Sequence, residues 1–291
     1  MSQAAAATSL APAELARLDA RFAARGVVVR GGATVSVREC GAGNRGPVLV
    51  CLHGIGSGAA SWLDTALRLE EEGARVIAWD APGYGASTPV DASQPRGADY
   101  ADRLQGLLDA LDIDRCVLVG HSLGAITAVH AARQGSPMAQ RISRLVLISP
   151  AAGYGAPGKE EARQRVHAQR LGALAQEGIA GMGAKADQRL LSPQAGELAR
   201  QWVRWNMGRL KEAGYTQAVE LLCGADLLAE LPPAMPVHVA CGALDVVTTP
   251  QACEEVARGC GVQLELLPDA GHASYVEQPA RVAALLLRQA A

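Results

Sequence analysis

Cys116-Val117-Leu118-Val119-Gly120-His121-Ser122-Leu123-Gly124, followed by Ala125, Ile126, Ala128 and Val129, is the stretch on which the reading of this chain turns. Cys116–Val119 is a continuous apolar run, the pattern of a strand buried on both faces. The residues after Gly124 follow a helical pattern. Between strand and helix sits G-x-S-x-G, in the strand–turn–helix context that a nucleophile elbow requires. So tight a turn needs small residues two before and two after the serine, and Gly120 and Gly124 supply them. Ser122 is then expected to project from the carboxyl edge of a sheet on a strained backbone. The competing reading is a glycine-flanked helix start with Ser122 as a plain N-cap.

A serine hydroxyl is a poor nucleophile until a base takes its proton, and a histidine oriented by a carboxylate is the usual solution. Of six histidines, His272 lies in Asp269-Ala270-Gly271-His272-Ala273, after the last expected strand and before the last helix. His53 and His121 neighbour glycines and read as turn-shaping residues. His130 and His167 fall on helices, and His238 lies within a strand. Asp245 follows the run Val237–Cys241 through Gly242-Ala243-Leu244, which sets it beside the His272 loop. Asp226 and Asp269 compete for the acid's role. The first is in a different region, and the second is too near His272 in sequence to face its ring. The order Ser122, Asp245, His272 matches the Ser…Asp…His order of one hydrolase topology. The competing role for Asp245 is capping the helix at Thr249-Pro250.

After Val48–Leu52 comes His53-Gly54-Ile55-Gly56-Ser57-Gly58. The N–H of Ile55, with that of Leu123 at a helix N-terminus, would form an oxyanion hole. A phosphate loop is disfavoured, because no Gly-Lys-Ser/Thr follows and G-x-G-x-x-G is out of register.

Working outward, a helix is expected over 12–24, with Leu15, Leu18 and Phe22 on one face. A hairpin with a Gly31-Gly32 turn joins Val27–Arg30 to Thr34–Arg38. Apolar runs at Val48–Leu52, Arg75–Trp79, Cys116–Val119 and Leu145–Ile148 then alternate with helices near 60–72 and 99–112. This is the rhythm of a parallel sheet covered on both faces. The rhythm stops at Pro150 and resumes after Pro232-Pro233 with Val237–Cys241, a helix near 250–258, Leu264–Leu267 and a helix over 278–289. The chain therefore reads as an α/β core, residues 1–150 and 233–291, with an all-helical insertion over 151–232.

Composition narrows the function classes. A net charge of −2 among 291 residues, with no Lys/Arg block, leaves no electrostatic footprint for nucleic acid or an anionic membrane. Seven cysteines, an odd number without C-x-x-C, suggest neither a disulfide framework nor a zinc site, so a reducing, cytoplasmic setting is expected. Met1–Leu10 lacks the pattern of a secretory signal. No apolar stretch approaches the roughly 20 residues of a membrane span. Only ten residues are aromatic, so the core must be aliphatic. Trp62, Tyr84, Tyr154, Trp202, Trp205 and Tyr275 fall at the carboxyl edge of the sheet or in the insertion, and are expected to wall a pocket. The competing reading is that Trp79, Trp202 and Trp205 simply pack insertion and core.

Taken together, His53-Gly54-Ile55-Gly56, Asp80-Ala81-Pro82-Gly83-Tyr84-Gly85-Ala86-Ser87, Gly120–Gly124, Gly242 with Asp245, and Gly271-His272 with Glu277 and Pro279 resemble the α/β-hydrolase fold family across residues 26–290. The resemblance implies a mostly parallel eight-stranded sheet with helices on both faces and residues 151–232 as a helical cap. It implies nucleophile Ser122, acid Asp245, base His272 and oxyanion donors Ile55 and Leu123, with no metal or organic cofactor. The Asp80–Ser87 loop and Trp62 look like the branch of meta-cleavage C–C hydrolases, enol-lactonases, cofactor-free haloperoxidases and haloalkane dehalogenases. A dehalogenase would carry Asp where Ser122 stands. C–C hydrolases often have Asn before the serine and Met after it, where this chain has His121 and Leu123. A small carboxylic ester or lactone is thus the expected substrate. The alternatives are a ring-fission product, for which Arg204 or Arg209 could supply positive charge although surface solvation is the commoner role of such arginines, and a non-enzymatic ligand receptor. A small-molecule substrate is the expected partner, and a homodimer is left open.

Overall fold

The computed structural model describes residues 8–291. The part of the leader reading that falls on residues 1–7 lies outside the described residues. Eight strands form one sheet: β1 (Ala24–Val28), β2 (Thr34–Cys40), β3 (Val48–Leu52), β4 (Arg75–Trp79), β5 (Cys116–His121), β6 (Ile142–Ile148), β7 (Val237–Gly242) and β8 (Leu264–Leu267), in the order β1-β2-β4-β3-β5-β6-β7-β8. The six strands from β4 to β8 pair in parallel, while β2 runs antiparallel to both its neighbours.

Continuous apolar runs bury both faces of this sheet. Val50, Leu52, Leu118, Leu145 and Leu147 point into one apolar core. Leu49, Cys51, Val117, Val119, Val146 and Ile148 point into the other. The period of two along each strand thus feeds two cores rather than a core and solvent. All seven cysteines are buried and free.

The helices cover both cores. They are α1 (Pro12–Arg21), α2 (Leu63–Glu71), α3 (Gly97–Ala110), α4 (Leu123–Ala132), α5 (Glu160–Ala184), α6 (Asp187–Leu190), α7 (Glu197–Met207), α8 (Glu212–Gly224), α9 (Pro250–Gly259), α10 (Ser274–Glu277) and α11 (Pro279–Ala290). On α3 the stripe Leu104, Leu107, Leu108 is fully buried. Helix α5 is broken at Gly178, whose φ of +63 an L side chain rarely adopts. Helices α5 to α8 lie between β6 and β7, and no strand is assigned there. This stretch shares the sheet's cores: Tyr215, Val219 and Leu222 of α8 join one, and Trp202, Val203 and Trp205 of α7 join the other. No helix among the described residues is long and apolar enough to cross a membrane.

Some boundaries differ from expectation. Helix α1 stops at Arg21, because Phe22 turns fully inward and Ala24–Gly26 are drawn into pairing with Ser36–Arg38. The hairpin turn is longer than two residues, closed by the Val29 N–H to the Ala33 carbonyl at 2.8 Å. Strand β6 begins at Ile142 rather than Leu145, through an irregularity in its pairing with the start of β5.

The elbow is set by sterics. A Cβ on Gly120 would sit 2.8 Å from the Ala125 Cα and from the Ala128 Cβ. One on Gly124 would sit 2.5 Å from the Leu52 carbonyl oxygen. Strand and helix therefore meet at a distance that only glycine permits on either side of the serine. Ala substitution at Gly120 or Gly124 is expected to destabilise the fold by about 1–3 kcal/mol. Gly196→Ala, where no atom lies within 4 Å, should shift stability by less than about 0.5 kcal/mol. Urea denaturation midpoints check this, and equal effects at the three sites would contradict it.

Candidate active site

Ser122 occupies the turn between β5 and α4 with φ +51 and ψ −116. A non-glycine residue there carries roughly 1–3 kcal/mol of strain. Its backbone is held on two sides. The amide donates to the Ile148 carbonyl at 3.1 Å, and the carbonyl accepts from Ala125 and Ala151 at 3.0 and 3.1 Å.

Asp245 and His272 come from the loops after β7 and β8. The His272 Nδ1–H donates to Asp245 Oδ2 at 2.8 Å, with both side chains almost fully buried. That contact puts the ring's proton on Nδ1 and leaves Nε2 with a free lone pair. Asp245 Oδ1 accepts from the Val247 and Thr248 amides at 2.7 and 3.0 Å. Thr248 Oγ1 lies 3.0 Å from Asp245 Oδ2 and 3.1 Å from His272 Nδ1. Burial alone would raise the Asp245 carboxyl. The charge and hydrogen bond of His272 and the Val247 amide outweigh it and hold the group down at about 2. Asp226 instead accepts from the Ala229 amide at 3.4 Å.

The loop after β3 is pressed against the elbow. A Cβ on Gly54 would meet His121 Nδ1 at 2.9 Å and the Ser122 Cβ at 3.0 Å. His53 braces this loop: its Nδ1–H donates to the Gly54 carbonyl at 2.8 Å, and its Nε2 accepts from the Ala81 amide at 3.0 Å. Burial pushes its pKa down, so the ring is neutral as this pattern requires. The Tyr84 hydroxyl donates to the Ile55 carbonyl at 2.8 Å. Asp80 links the next loop inward, accepting from the Ala59 amide and the Ser36 hydroxyl, both at 2.8 Å. The chain is thus held on both sides of the Ile55 amide, at the Gly54 carbonyl before it and the Ile55 carbonyl after it.

His121 does more than shape a turn. Its Nε2–H donates to the His272 carbonyl at 3.0 Å, and its ring packs 4.7 Å from those of His272 and Tyr275. Burial and the neighbouring His272 keep its pKa well below the usual histidine range. Glu277 holds the same loop, accepting from the Gly271 amide at 2.9 Å, the Ser192 amide at 3.1 Å and the Ser192 hydroxyl. The Ala273 amide donates to the Leu190 carbonyl at 2.8 Å. The segment joining α6 to α7 is therefore bonded directly to the loop that carries His272.

Ser122 and His272 open onto one cavity of about 480 Å³. Of the six aromatics expected to wall it, Tyr154 and Tyr275 do so. Trp62, Tyr84, Trp202 and Trp205 do not. Trp62 is fully buried and stacks on Tyr275 at 4.0 Å, Tyr84 is buried beneath the Ile55 loop, and the other two tryptophans pack edge to face at 5.5 Å in a core. Each of these rings buries a large apolar area in a core, which a place on the cavity wall would leave partly exposed. Tyr215 lines the cavity unforeseen. The spacing Tyr215, Ala218, Val219, Leu222 was the available signal, an i, i+3, i+4, i+7 stripe. Arg204 pairs with Glu197 and Arg209 lies 4.7 Å over the Trp205 ring, and neither lines the cavity. The cations that do are Arg170, Lys185 and Arg189.

The Asp245 carboxyl titrates lower in the folded chain than in the unfolded one. Its ionised form therefore adds stability above pH ~4 that disappears as the pH falls toward 2. The contribution is on the order of 2 kcal/mol. Denaturant titrations at pH 7 and pH 3 are expected to show a smaller acid-side loss in Asp245→Asn than in the unaltered chain. Identical losses would contradict the assignment.

A model described as the Alpha/beta hydrolase family matches residues 49–285. The chain is 36% identical over 135 residues to the 2-hydroxy-6-oxononadienedioate/2-hydroxy-6-oxononatrienedioate hydrolase of Paraburkholderia xenovorans (strain LB400), a match covering 45% of each. It is 36% identical over 114 residues to the 2-hydroxy-6-oxo-6-phenylhexa-2,4-dienoate hydrolase of Comamonas testosteroni, covering 38% of each. The matched stretch thus spans less than half the length of these curated relatives. Among solved structures, the enol-lactonase from Burkholderia xenovorans LB400 superposes with a TM-score of 0.79 at 24% identity, covering 91% of this chain and 98% of that one. A hydrolase from Pseudomonas aeruginosa PA01 gives 0.78 at 26% identity, covering 91% and 97%. The structural likenesses concern the fold. Since the family model runs from β3 into the last helix, the chain belongs to the alpha/beta hydrolase family.

Proposed function

We propose that this chain is a serine hydrolase that cleaves a small carboxylic ester or lactone through an acyl-enzyme. The observation that carries the reading is the buried Asp245–His272 pair, whose histidine opens with the strained Ser122 onto one cavity. Ser122 Oγ attacks the substrate carbonyl carbon while His272 Nε2 takes its proton. Asp245 holds the ring in the required tautomer and stabilises the imidazolium. The amides of Ile55 and Leu123 receive the oxyanion. His272 then gives its proton to the leaving alkoxide as the C–O bond breaks. In the second half it deprotonates water, which attacks the acyl carbon and frees Ser122 and the carboxylic acid. The bracing of the Ile55 loop by His53 and Tyr84 supports the oxyanion role, since preorganised donors need no rearrangement as charge develops.

A second reading, hydrolysis of a C–C bond in a ring-fission product, is favoured by the names of the 36% identical relatives. Both readings use the same residues and differ in substrate. A p-nitrophenyl ester should give a burst of nitrophenol equal to the enzyme concentration, followed by slower turnover. Ser122→Ala is expected to lower kcat by roughly 10⁴-fold or more, and Asp245→Asn by roughly 10⁴-fold. Turnover surviving in Ser122→Ala would sink the proposal. Turnover of a dienoate diketone alone, with no ester or lactone cleaved, would select the second reading.

A further inference from the structure

We infer that the cavity over Ser122 takes an anionic substrate, held by a carboxylate subsite of Arg170 and Arg189. This rests on the serine hydrolase reading and deepens it: the acyl part would end in a carboxylate.

The charge lining the cavity is unbalanced. Three cations face it, Arg170, Lys185 and Arg189, against the single carboxylate of Glu177 among the lining residues. Glu177 is already taken, because Lys185 Nζ lies 2.7 Å from it. Arg170 and Arg189 have no ion pair or side-chain hydrogen bond among the described residues, leaving two uncompensated positive charges. Arg200 is engaged with Asp187, Arg204 with Glu197 and Arg209 over Trp205, while Arg163 and Arg165 of α5, both exposed and likewise without an ion pair among the described residues, do not line the cavity.

Placement follows from the helices. Val166, Arg170, Ala173 and Glu177 all line the cavity, and their spacing of four, three and four residues marks one face of α5. Arg170 therefore faces the cavity because of helical period, and it is half-buried there. It shares that lining with Ile55 of the loop after β3 and with Ser122. Arg189 precedes Leu190, whose carbonyl holds Ala273 next to His272. Both guanidiniums thus belong to segments that border the catalytic loops. The remaining wall includes Met182, Val203, Met207 and Tyr215, an apolar setting in which an ion pair to the half-buried Arg170 gains strength over one in open water, while Arg189 is exposed and adds its charge from nearer the solvent. A planar guanidinium binds carboxylate through two parallel N–H···O bonds, which selects for that group as well as for its charge. A cavity of about 480 Å³ suits a short dicarboxylic half-ester rather than a long fatty chain.

The test compares mono-p-nitrophenyl glutarate with its methyl ester, a neutral twin of the same backbone. The unaltered enzyme is expected to favour the acid at least tenfold in kcat/KM, and 0.5 M NaCl should reduce that preference. Arg170→Gln and Arg189→Gln should each lower the acid-to-ester ratio at least fivefold, chiefly through KM. Arg209→Gln, outside the cavity, should leave the ratio unchanged. A ratio near or below one in the unaltered enzyme, or a ratio untouched by both variants, overturns the subsite. If neither ester is turned over, the hydrolase reading has failed and the subsite is judged by binding. Calorimetry with glutarate and glutaramide then decides. Glutarate binding at least tenfold tighter, with the difference lost in the double variant, upholds it; equal binding overturns it.

Discussion

The meeting of β5 and α4 at Ser122 is the constraint on which the rest of this structure depends. Helix α4 packs so close to the sheet that a Cβ at Gly124 would strike the Leu52 carbonyl of the neighbouring strand. The chain can turn from strand to helix in that space only if one residue takes positive φ, and that residue is Ser122 at +51. An ordinary side chain there costs roughly 1–3 kcal/mol, which the two flanking cores must offset. In return the serine stands clear of both strand and helix, at the carboxyl edge where four loops converge.

Those loops are fixed by polar contacts that tie one to the next. His53 and Tyr84 hold the Ile55 loop, His121 links the elbow to the His272 loop, and Asp245 links His272 to the loop after β7. Glu277 and Leu190 then fasten the α6–α7 segment onto the same histidine loop. Helices α5 to α8 are therefore not a loosely attached cover. They share both apolar cores with the sheet and are hydrogen-bonded to the loop that carries the base. A shift of that segment would move the His272 loop with it.

How far the sequence could be read depended on the range of the interaction. Local patterns were legible: the apolar runs of the strands, the helices between them, and the glycine-serine-glycine turn each depend on a few neighbouring residues. The order Ser122, Asp245, His272 was legible because strand ends set which loops can meet. For the aromatics the sequence left pocket wall and core packing open, because it placed Trp62, Trp202 and Trp205 near the right loops without revealing which way they face. Trp62 turns inward to stack on Tyr275, and Trp202 and Trp205 pack each other. The cavity's cations were hidden for a similar reason. Arg204 is held by Glu197 one face away from the cavity, while Arg170 reaches it through the period of a helix whose start and kink at Gly178 were not apparent.

The sequence by itself determined the parallel sheet, the elbow and the chemical identity of the residues after β5, β7 and β8. Hydrophobic period and steric need for glycine are written within a few residues of each position. Only the tertiary structure decided that His121 and Glu277 support the His272 loop, that Tyr84 holds the Ile55 loop instead of lining the cavity, and that unpaired positive charge faces Ser122. Each of these rests on contacts between residues far apart in the chain, whose side-chain directions follow from how whole helices and loops pack.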